Sequence, residues 1–353
     1  MNAIAPPTWL GHVASAVDDR LAEVATEEAE RWTRLDADLA EPFATLSAFL
    51  SGGKRLRAAF CHWAFVGVGG DPTDRRWVDG ATALELLQAF ALIHDDVMDG
   101  SATRRGNDAV HTVYDKRHRE EGWRGESRRF GEGAAILIGD LAFVLADSLL
   151  AGAPPEAWEV WDELRLEVNV GQYLDMLNSV RGNPTVEAAS RICTYKSGKY
   201  TIERPLHLGA ALAGRPALDI RDALTAYGLP LGEAFQLVDD LLGVFGDEAR
   251  TGKPVGDDLR EGKPTRLLAI GLERARGADL DMLRERVGSP DLSAAEIERI
   301  QSVLDSTGAR AEVEEAAARL GASAIGASEE LPLTTEARTA LADLAHFVTG
   351  RDH

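Results

Sequence analysis

Apolar residues recur at helical spacing along almost the whole chain, and glycine and proline gather between the apolar stretches rather than inside them. Stops fall at Ser51-Gly52-Gly53, Gly67 to Pro72, Gly100 to Gly106, Gly152 to Pro155, Gly182 to Pro184 and Gly252 to Pro264, where the chain cannot continue a helical ladder. The intervals predict helices of roughly 12 to 25 residues. The two containing Ala81 to Asp99 and Arg221 to Asp247 are the most apolar and belong inside a bundle. No run alternates Val, Ile and Thr for long enough to predict a sheet. The pattern therefore predicts an all-α fold, one helical domain over residues 1–353, with no fixed-period repeat and no clean break.

Composition narrows what such a bundle binds. With 38 Lys+Arg against 58 Asp+Glu the chain carries a formal charge of −20, which argues against nucleic acid and against a polybasic membrane surface. At 45% hydrophobic residues it can build a large core. Cys61 and Cys193 have no CxxC spacing, so neither a disulfide framework nor a zinc site is expected, and a reduced cytoplasm is the expected location. Met1 to Leu10 has neither a basic n-region nor an apolar h-region, so no secretory signal is expected. Ala134 to Ala153 comes nearest to a membrane span, but Asp140 and Asp147 would each cost roughly 2.5 to 3.5 kcal/mol at its centre. It reads as a buried core helix with a polar stripe. Asp115 to Gly133, with five Arg, one Lys and five acidic residues around Trp123, reads as a solvated loop.

The chemistry begins at Leu92-Ile93-His94-Asp95-Asp96-Val97-Met98-Asp99-Gly100, the end of an apolar helix. Asp95 and Asp99 share a face, with Gln88 and Leu84 further down it. Carboxylates so placed repel each other and meet the unfavourable end of the helix dipole. Hard cations between them would make sense of that, and oxygen-only ligands favour Mg²⁺ over zinc; the plainer reading is a solvated acidic helix end. His94 reads as a core histidine rather than a base. Arg104-Arg105-Gly106 follows on a turn where two guanidinium groups suit phosphate oxygens.

A second acidic site, Gln236-Leu237-Val238-Asp239-Asp240-Leu241-Leu242-Gly243, also follows an apolar stretch, and Asp247 continues its stripe. Two helices presenting paired Asp to a bundle interior could clamp Mg²⁺ ions for a diphosphate. Ser51-Gly52-Gly53-Lys54-Arg55-Leu56-Arg57 is a glycine turn entering a helix, where Lys54, Arg57 and backbone N–H groups can meet an anion. It lacks the P-loop spacing. Tyr195-Lys196-Ser197, Thr251-Gly252-Lys253-Pro254 and Glu261-Gly262-Lys263-Pro264 add further cations.

In order, GGKRLR, LLQAFALIHDDVMDGSATRRG, TYKSGKYT and FQLVDDLLGVFGD followed by TGKPVGDDLREGKPT resemble the trans-type isoprenyl diphosphate synthases, from about Leu46 to Leu268. The resemblance implies a helical bundle around a central apolar cavity, with residues 269–353 as further helices. It implies that Asp95, Asp99 and Asp239 hold Mg²⁺, three ions in all, supported by Asp96 and Asp240. Arg104, Lys196 and Lys253 would grip the allylic diphosphate. Lys54, Arg57, Gln88 and Arg105 would hold isopentenyl diphosphate, with Lys263 also on substrate. Gln236, with the oxygens around Lys196 and Ser197, would face the developing allylic cation. The Gly-rich segments 100 to 106 and 252 to 262 are candidates to close over the site and exclude water. Homodimerisation is expected from the family.

This chain departs from the family in having Gly243 where a third Asp is usual, Ser197 where Thr is commoner, Ala58 for Pro, and Gln88 where many long-chain members carry His. An aromatic Phe90 five positions before Asp95 and a small Ala91 four before it resemble the C20 producers. The expected product is therefore geranylgeranyl diphosphate, with farnesyl diphosphate as the alternative. A class I terpene cyclase would lack the isopentenyl site that Lys54, Arg57 and Arg105 provide. A non-catalytic prenyltransferase subunit would have lost charged ligands that this chain keeps.

Overall fold

The computed structural model describes residues 5–182, 184–214, 220–246 and 255–350. Helices dominate, as the periodicity predicts. The chain forms two compact units, Thr8–Trp158 with Leu208–Arg215, and Glu159–His207 with Pro216–His353 together with Met1–Pro7.

The first unit carries α1 (Leu10–Thr33), α2 (Ala40–Leu50), α3 (Leu56–Gly67), α4 (Arg75–Asp99), α5 (Val110–Glu120) and α6 (Ser127–Leu149). Helix α4 starts where the Asp74 carboxylate accepts from Arg76 N–H, one of the orphan donors at a helix start. It ends at Gly100, whose φ of 67° suits a residue without Cβ. Its core face, including Leu84, Leu86, Leu87 and Ile93, is fully buried. Helix α6 packs on α4 closely enough that a Cβ at Gly139 would lie 2.4 Å from the His94 ring.

Three sequence expectations change here. Asp115 to Gly133 is not a solvated loop. Most of it is α5 and the start of α6, because Val110, Tyr114 and His118 make a buried stripe four residues apart that the surrounding charge conceals. Helix α6 is not buried all round: Leu137 is 65% and Val144 60% exposed. The stop after Asp99 also holds a two-residue hairpin, β1 (Thr103–Arg104) and β2 (Asn107–Asp108). It turns on Arg105 and Gly106, both at positive φ, as a type I′ hairpin requires. No helix of the described residues is long and apolar enough to cross a membrane, and Cys61 and Cys193 are buried free thiols.

The second unit holds most of α7 (Pro155–Arg181), α8 (Val186–Ile192), a π-helical segment (Cys193–Glu203), the start of α9 (Arg204–Leu212), α10 (Arg221–Phe245), α11 (Asp257–Glu261) and the helices that follow. Its core joins Leu237, Leu241 and Val244 of α10 to Leu267, Ile300, Leu304 and Val313. The π segment, a rare form that concentrates at functional sites, is held by carboxylates of α7. Lys199 donates to Glu167 at 2.8 Å, and Arg204 donates to Glu163 and Glu167.

Backbone lies almost directly on backbone where α10 crosses the π segment, since a Cβ at Gly232 would meet Gly198 O at 2.4 Å and Gly198 Cα at 2.6 Å. Neither atom can swing aside as a side-chain tip can. Gly232→Ala is expected to destabilise the protein by about 3 kcal/mol through overpacking, read as a lower thermal unfolding midpoint. An unchanged midpoint would mean that the two backbones separate freely.

Candidate active site

In the first unit, the glycine turn and the end of α4 set the cations and carboxylates. Gly52, Gly53 and Arg55 all have positive φ, so the chain reverses sharply into α3. Of the three cations in that turn, Arg55 is structural. It is 6% exposed, pairs with Glu85 at 2.8 Å and with Asp18 at 2.7 Å, and donates to Leu50 O. Lys54 is exposed and Arg57 half-buried in the first turn of α3. The hairpin brings Arg104 back to the helix it follows. Its Nε donates to Asp96 Oδ1 at 2.8 Å and its Nη2 stands 3.5 Å from Asp95 Oδ2.

Asp96 is 1% exposed. Burial raises its carboxyl above the usual range against the pull of Arg104, with Asp95 adding to the rise. Its Oδ2 is buried without a hydrogen-bond partner. Asp95 is half-buried, Asp99 exposed and Gln88 half-buried. Partial burial and the neighbouring Arg55, Arg104 and Arg57 lower the Arg105 guanidinium below its ordinary value, although Glu85 opposes them. Such crowding of like charge is relieved when an anion arrives. Phe90 is half-buried in the seam of α4 and α6, its ring 4.6 Å from His94 and 4.7 Å from Phe143, with Ala91 half-buried beside it. His94 Nε2 lies 3.0 Å from Ile136 O, in keeping with a core histidine.

In the second unit, Lys196 and Ser197 are half-buried on the π segment, and Lys196 Nζ donates to Asp175 of α7. Close contact is possible there because α7 has Gly171, where a Cβ would lie 2.5 Å from Lys196 N. Asp175 and Gly171 were not singled out from the sequence; the available signal was Gly171-Gln172 followed three residues on by Asp175. On α10, Gln236 donates to Asp240 at 2.7 Å, and Asp239 is half-buried beside it. Burial pushes Asp240 up to about 8, with Asp258 and Asp239 adding to the rise and Gln236 opposing it. Lys263 donates to Asp258 at 2.8 Å. Burial opposes its charge, but Asp258 and Glu261 outweigh that and hold its ammonium well above the usual value. Lys253 and Asp247 lie outside the described residues.

The donors fit a magnesium ion. They are carboxylate oxygens without His or Cys, and a cation would offset both the burial that raises Asp240 and the smaller repulsion from Asp258 and Asp239. Among the described residues no three His, Cys, Asp or Glu are gathered so as to hold a metal by themselves.

Residues 39–304 match the polyprenyl synthetase family. The chain belongs to that family. It is 35% identical to the short chain isoprenyl diphosphate synthase of Methanothermobacter thermautotrophicus, over 86% of this chain and 88% of that protein. It is 34% identical to a geranylgeranyl diphosphate synthase of Mycobacterium tuberculosis, over 73% of this chain and 69% of the other. Its fold matches the crystal structure of geranylgeranyl pyrophosphate synthase from Corynebacterium glutamicum complexed with isoprenyl diphosphate and magnesium. The TM-score is 0.91 and the identity 38%, covering 96% of this chain and 99% of that one. Isoprenyl diphosphate synthases are transferases, and this chain is an enzyme of that class.

Proposed function

We propose that this enzyme condenses isopentenyl diphosphate with an allylic diphosphate in the presence of Mg²⁺ to make geranylgeranyl diphosphate. The observation that carries the reading is the Arg104 guanidinium held on buried Asp96 and beside Asp95 at the end of α4, with Arg105 of the same hairpin crowded by Arg55, Arg104 and Arg57. A site rich in both signs fits a metal-bridged diphosphate, and the net charge of −20 does not oppose it.

Asp95, Asp99 and Asp239 are the proposed Mg²⁺ ligands, for three ions, with Asp96 and Asp240 behind them. Bound Mg²⁺ would stabilise the charge gathering on the departing diphosphate. Arg104, Lys196 and Lys253 hold that diphosphate, and Asp96 fixes the Arg104 fork by accepting from its Nε. Lys54, Arg57, Gln88 and Arg105 hold isopentenyl diphosphate, and Lys263 adds charge on the substrate side. Gln236 and Ser197 turn oxygens toward the allylic cation. The isopentenyl double bond attacks that cation, and the proton then leaves to the diphosphate. No side-chain nucleophile takes part. The Gly-rich segments 100 to 106 and 252 to 262, the latter described only from 255, are proposed to close over the site and exclude water.

The test is incubation with Mg²⁺, isopentenyl diphosphate and dimethylallyl, geranyl or farnesyl diphosphate in turn, followed by product analysis. Geranylgeranyl diphosphate is expected from each starter. A farnesyl product would shorten the assignment, and no elongation with any starter would defeat it.

Residues 1–353 are proposed to act as one catalytic domain, in the cytoplasm, as a homodimer. Support for the dimer comes from apolar residues that face solvent at heptad spacing. Phe130, Leu137 and Val144 do so on α6, and Leu166, Val170, Tyr173 and Val180 on α7, where Val180 is 83% exposed. Such stripes suit a second copy of the chain. Leu137→Glu with Val170→Glu is expected to yield monomer at micromolar concentration by light scattering; a retained dimer would place the interface elsewhere.

A further inference from the structure

Rare backbone forms persist where the surrounding structure holds them, and what holds Cys193–Glu203 matches the π repeat. The Arg204 N–H donates to Lys199 O, a bond that spans five residues. The side chains of the same two residues meet on one carboxylate of α7. Lys199 Nζ donates to Glu167 Oε1 at 2.8 Å, and Arg204 donates from Nε to Oε2 at 2.7 Å and from Nη2 to Oε1 at 2.8 Å. On an α-helix, residues five apart point about 140° away from each other, so a single carboxylate suits this pair in the π form. The Glu167 side chain is 14% exposed and that of Arg204 3%. Burial would raise the Glu167 carboxyl, but Arg204 and Lys199 outweigh that and hold it below its usual value. At the other end of the segment Thr194 donates to Glu233 of α10 at 2.9 Å. Between these tethers Gly198 lies against Gly232, and Lys196 and Ser197 occupy the same short stretch.

We propose that Glu167 is a positioning residue for isoprenyl transfer: by clamping Lys199 and Arg204 it fixes the π register of Cys193–Glu203, and so aims Lys196 and Ser197 at the allylic diphosphate, which rests on the roles given to those two residues above. Return of one turn to the α form would rotate the residues before it about the helix axis. Lys196 would then leave Asp175, and Gly198 would leave Gly232. The effect falls on the allylic substrate, since Lys54, Arg57, Gln88 and Arg105, proposed for isopentenyl diphosphate, belong to the other unit.

Glu167→Gln keeps the shape of the side chain and removes the charge that both cations meet. Amide hydrogen exchange reads the clamp without reference to turnover: it should quicken across 193–204 in this variant and stay parental in the helices of the first unit. Parental exchange across 193–204 would overturn the proposal. In steady-state kinetics with Mg²⁺, below the unfolding midpoint, kcat/KM for the allylic diphosphate should fall on the order of 10²-fold, the scale of an ångström's misplacement. The KM for isopentenyl diphosphate should stay parental. A purely structural Glu167 would lower the thermal midpoint and leave both KM values alone, which would also overturn the proposal. If Glu167→Gln does not fold, Lys199→Gln leaves the Arg204–Glu167 pair in place and should show the same split in milder form. Lys199→Arg keeps the charge and should restore parental kinetics, so equal behaviour of the two Lys199 variants would count against the clamp. Lys196→Ala removes the group being aimed and should raise the allylic KM by itself. If it does not, or if the parent elongates no starter, the functional reading falls and the proposal with it. If it does while Glu167→Gln behaves as the parent, the proposal alone falls.

Discussion

Replacing Asp95 with alanine is expected to lower isoprenyl transfer by roughly 10²- to 10³-fold, the scale of losing one preorganised charge-stabilising group from an active site. Asp95 lies half-buried in the last turn of α4, where a carboxylate meets the negative end of the helix dipole and stands beside Asp96. Arg104, whose Nη2 stands 3.5 Å from Asp95 Oδ2, offsets that repulsion, so the net contribution of the Asp95 charge to folding is small. Removing it should leave the thermal midpoint nearly unchanged while turnover collapses. It should also ease Asp96, whose carboxyl is raised by burial and then by Asp95, so that the Arg104–Asp96 pair survives in the variant. Loss of activity at nearly unchanged stability is the signature of a residue kept for function. Activity within tenfold of the parent at saturating Mg²⁺ would remove Asp95 from the proposed metal ligands.

The acidic motifs were legible because each ends an apolar helix at a glycine. The stop predicted after Asp99 falls at Gly100, and the second helix closes at Phe245, two residues short of its predicted end. Local pattern was enough there, since helix period and breaker residues act over a few positions. What escaped the sequence depends on partners far along the chain. Arg55 resembles its neighbours Lys54 and Arg57 until Asp18 and Glu85 bury it. Nothing in Cys193 to Glu203 announces a π helix, and the groups that brace it, Glu163 and Glu167, come from α7. Nothing local marks the partners of Asp175 and Asp258, yet one meets Lys196 and the other lies against Gly243. Charge also concealed structure: the Arg-rich stretch around Trp123 hides the apolar stripe of α5, and its exposed ring packs on Phe130 at 5.2 Å.

If the product is the proposed geranylgeranyl diphosphate, Phe90→Ala should shift it from C20 to longer chains. The ring of Phe90 fills part of the seam of α4 and α6 against His94 and Phe143. If it forms the end wall of the product cavity, its removal opens room for a further isoprene unit. Five more buried carbons at about 0.8 kcal/mol each favour the longer chain by about 4 kcal/mol, close to a thousandfold in partition. That is large enough to change the dominant product rather than broaden the distribution. A purely structural Phe90 would instead leave product length alone and cost about 3 to 5 kcal/mol of stability through the cavity left behind. Chain-length analysis beside thermal unfolding separates the two roles. Longer products at near-parental stability assign Phe90 to the wall, whereas an unchanged product length with a lowered midpoint assigns it to the core and moves chain-length control elsewhere.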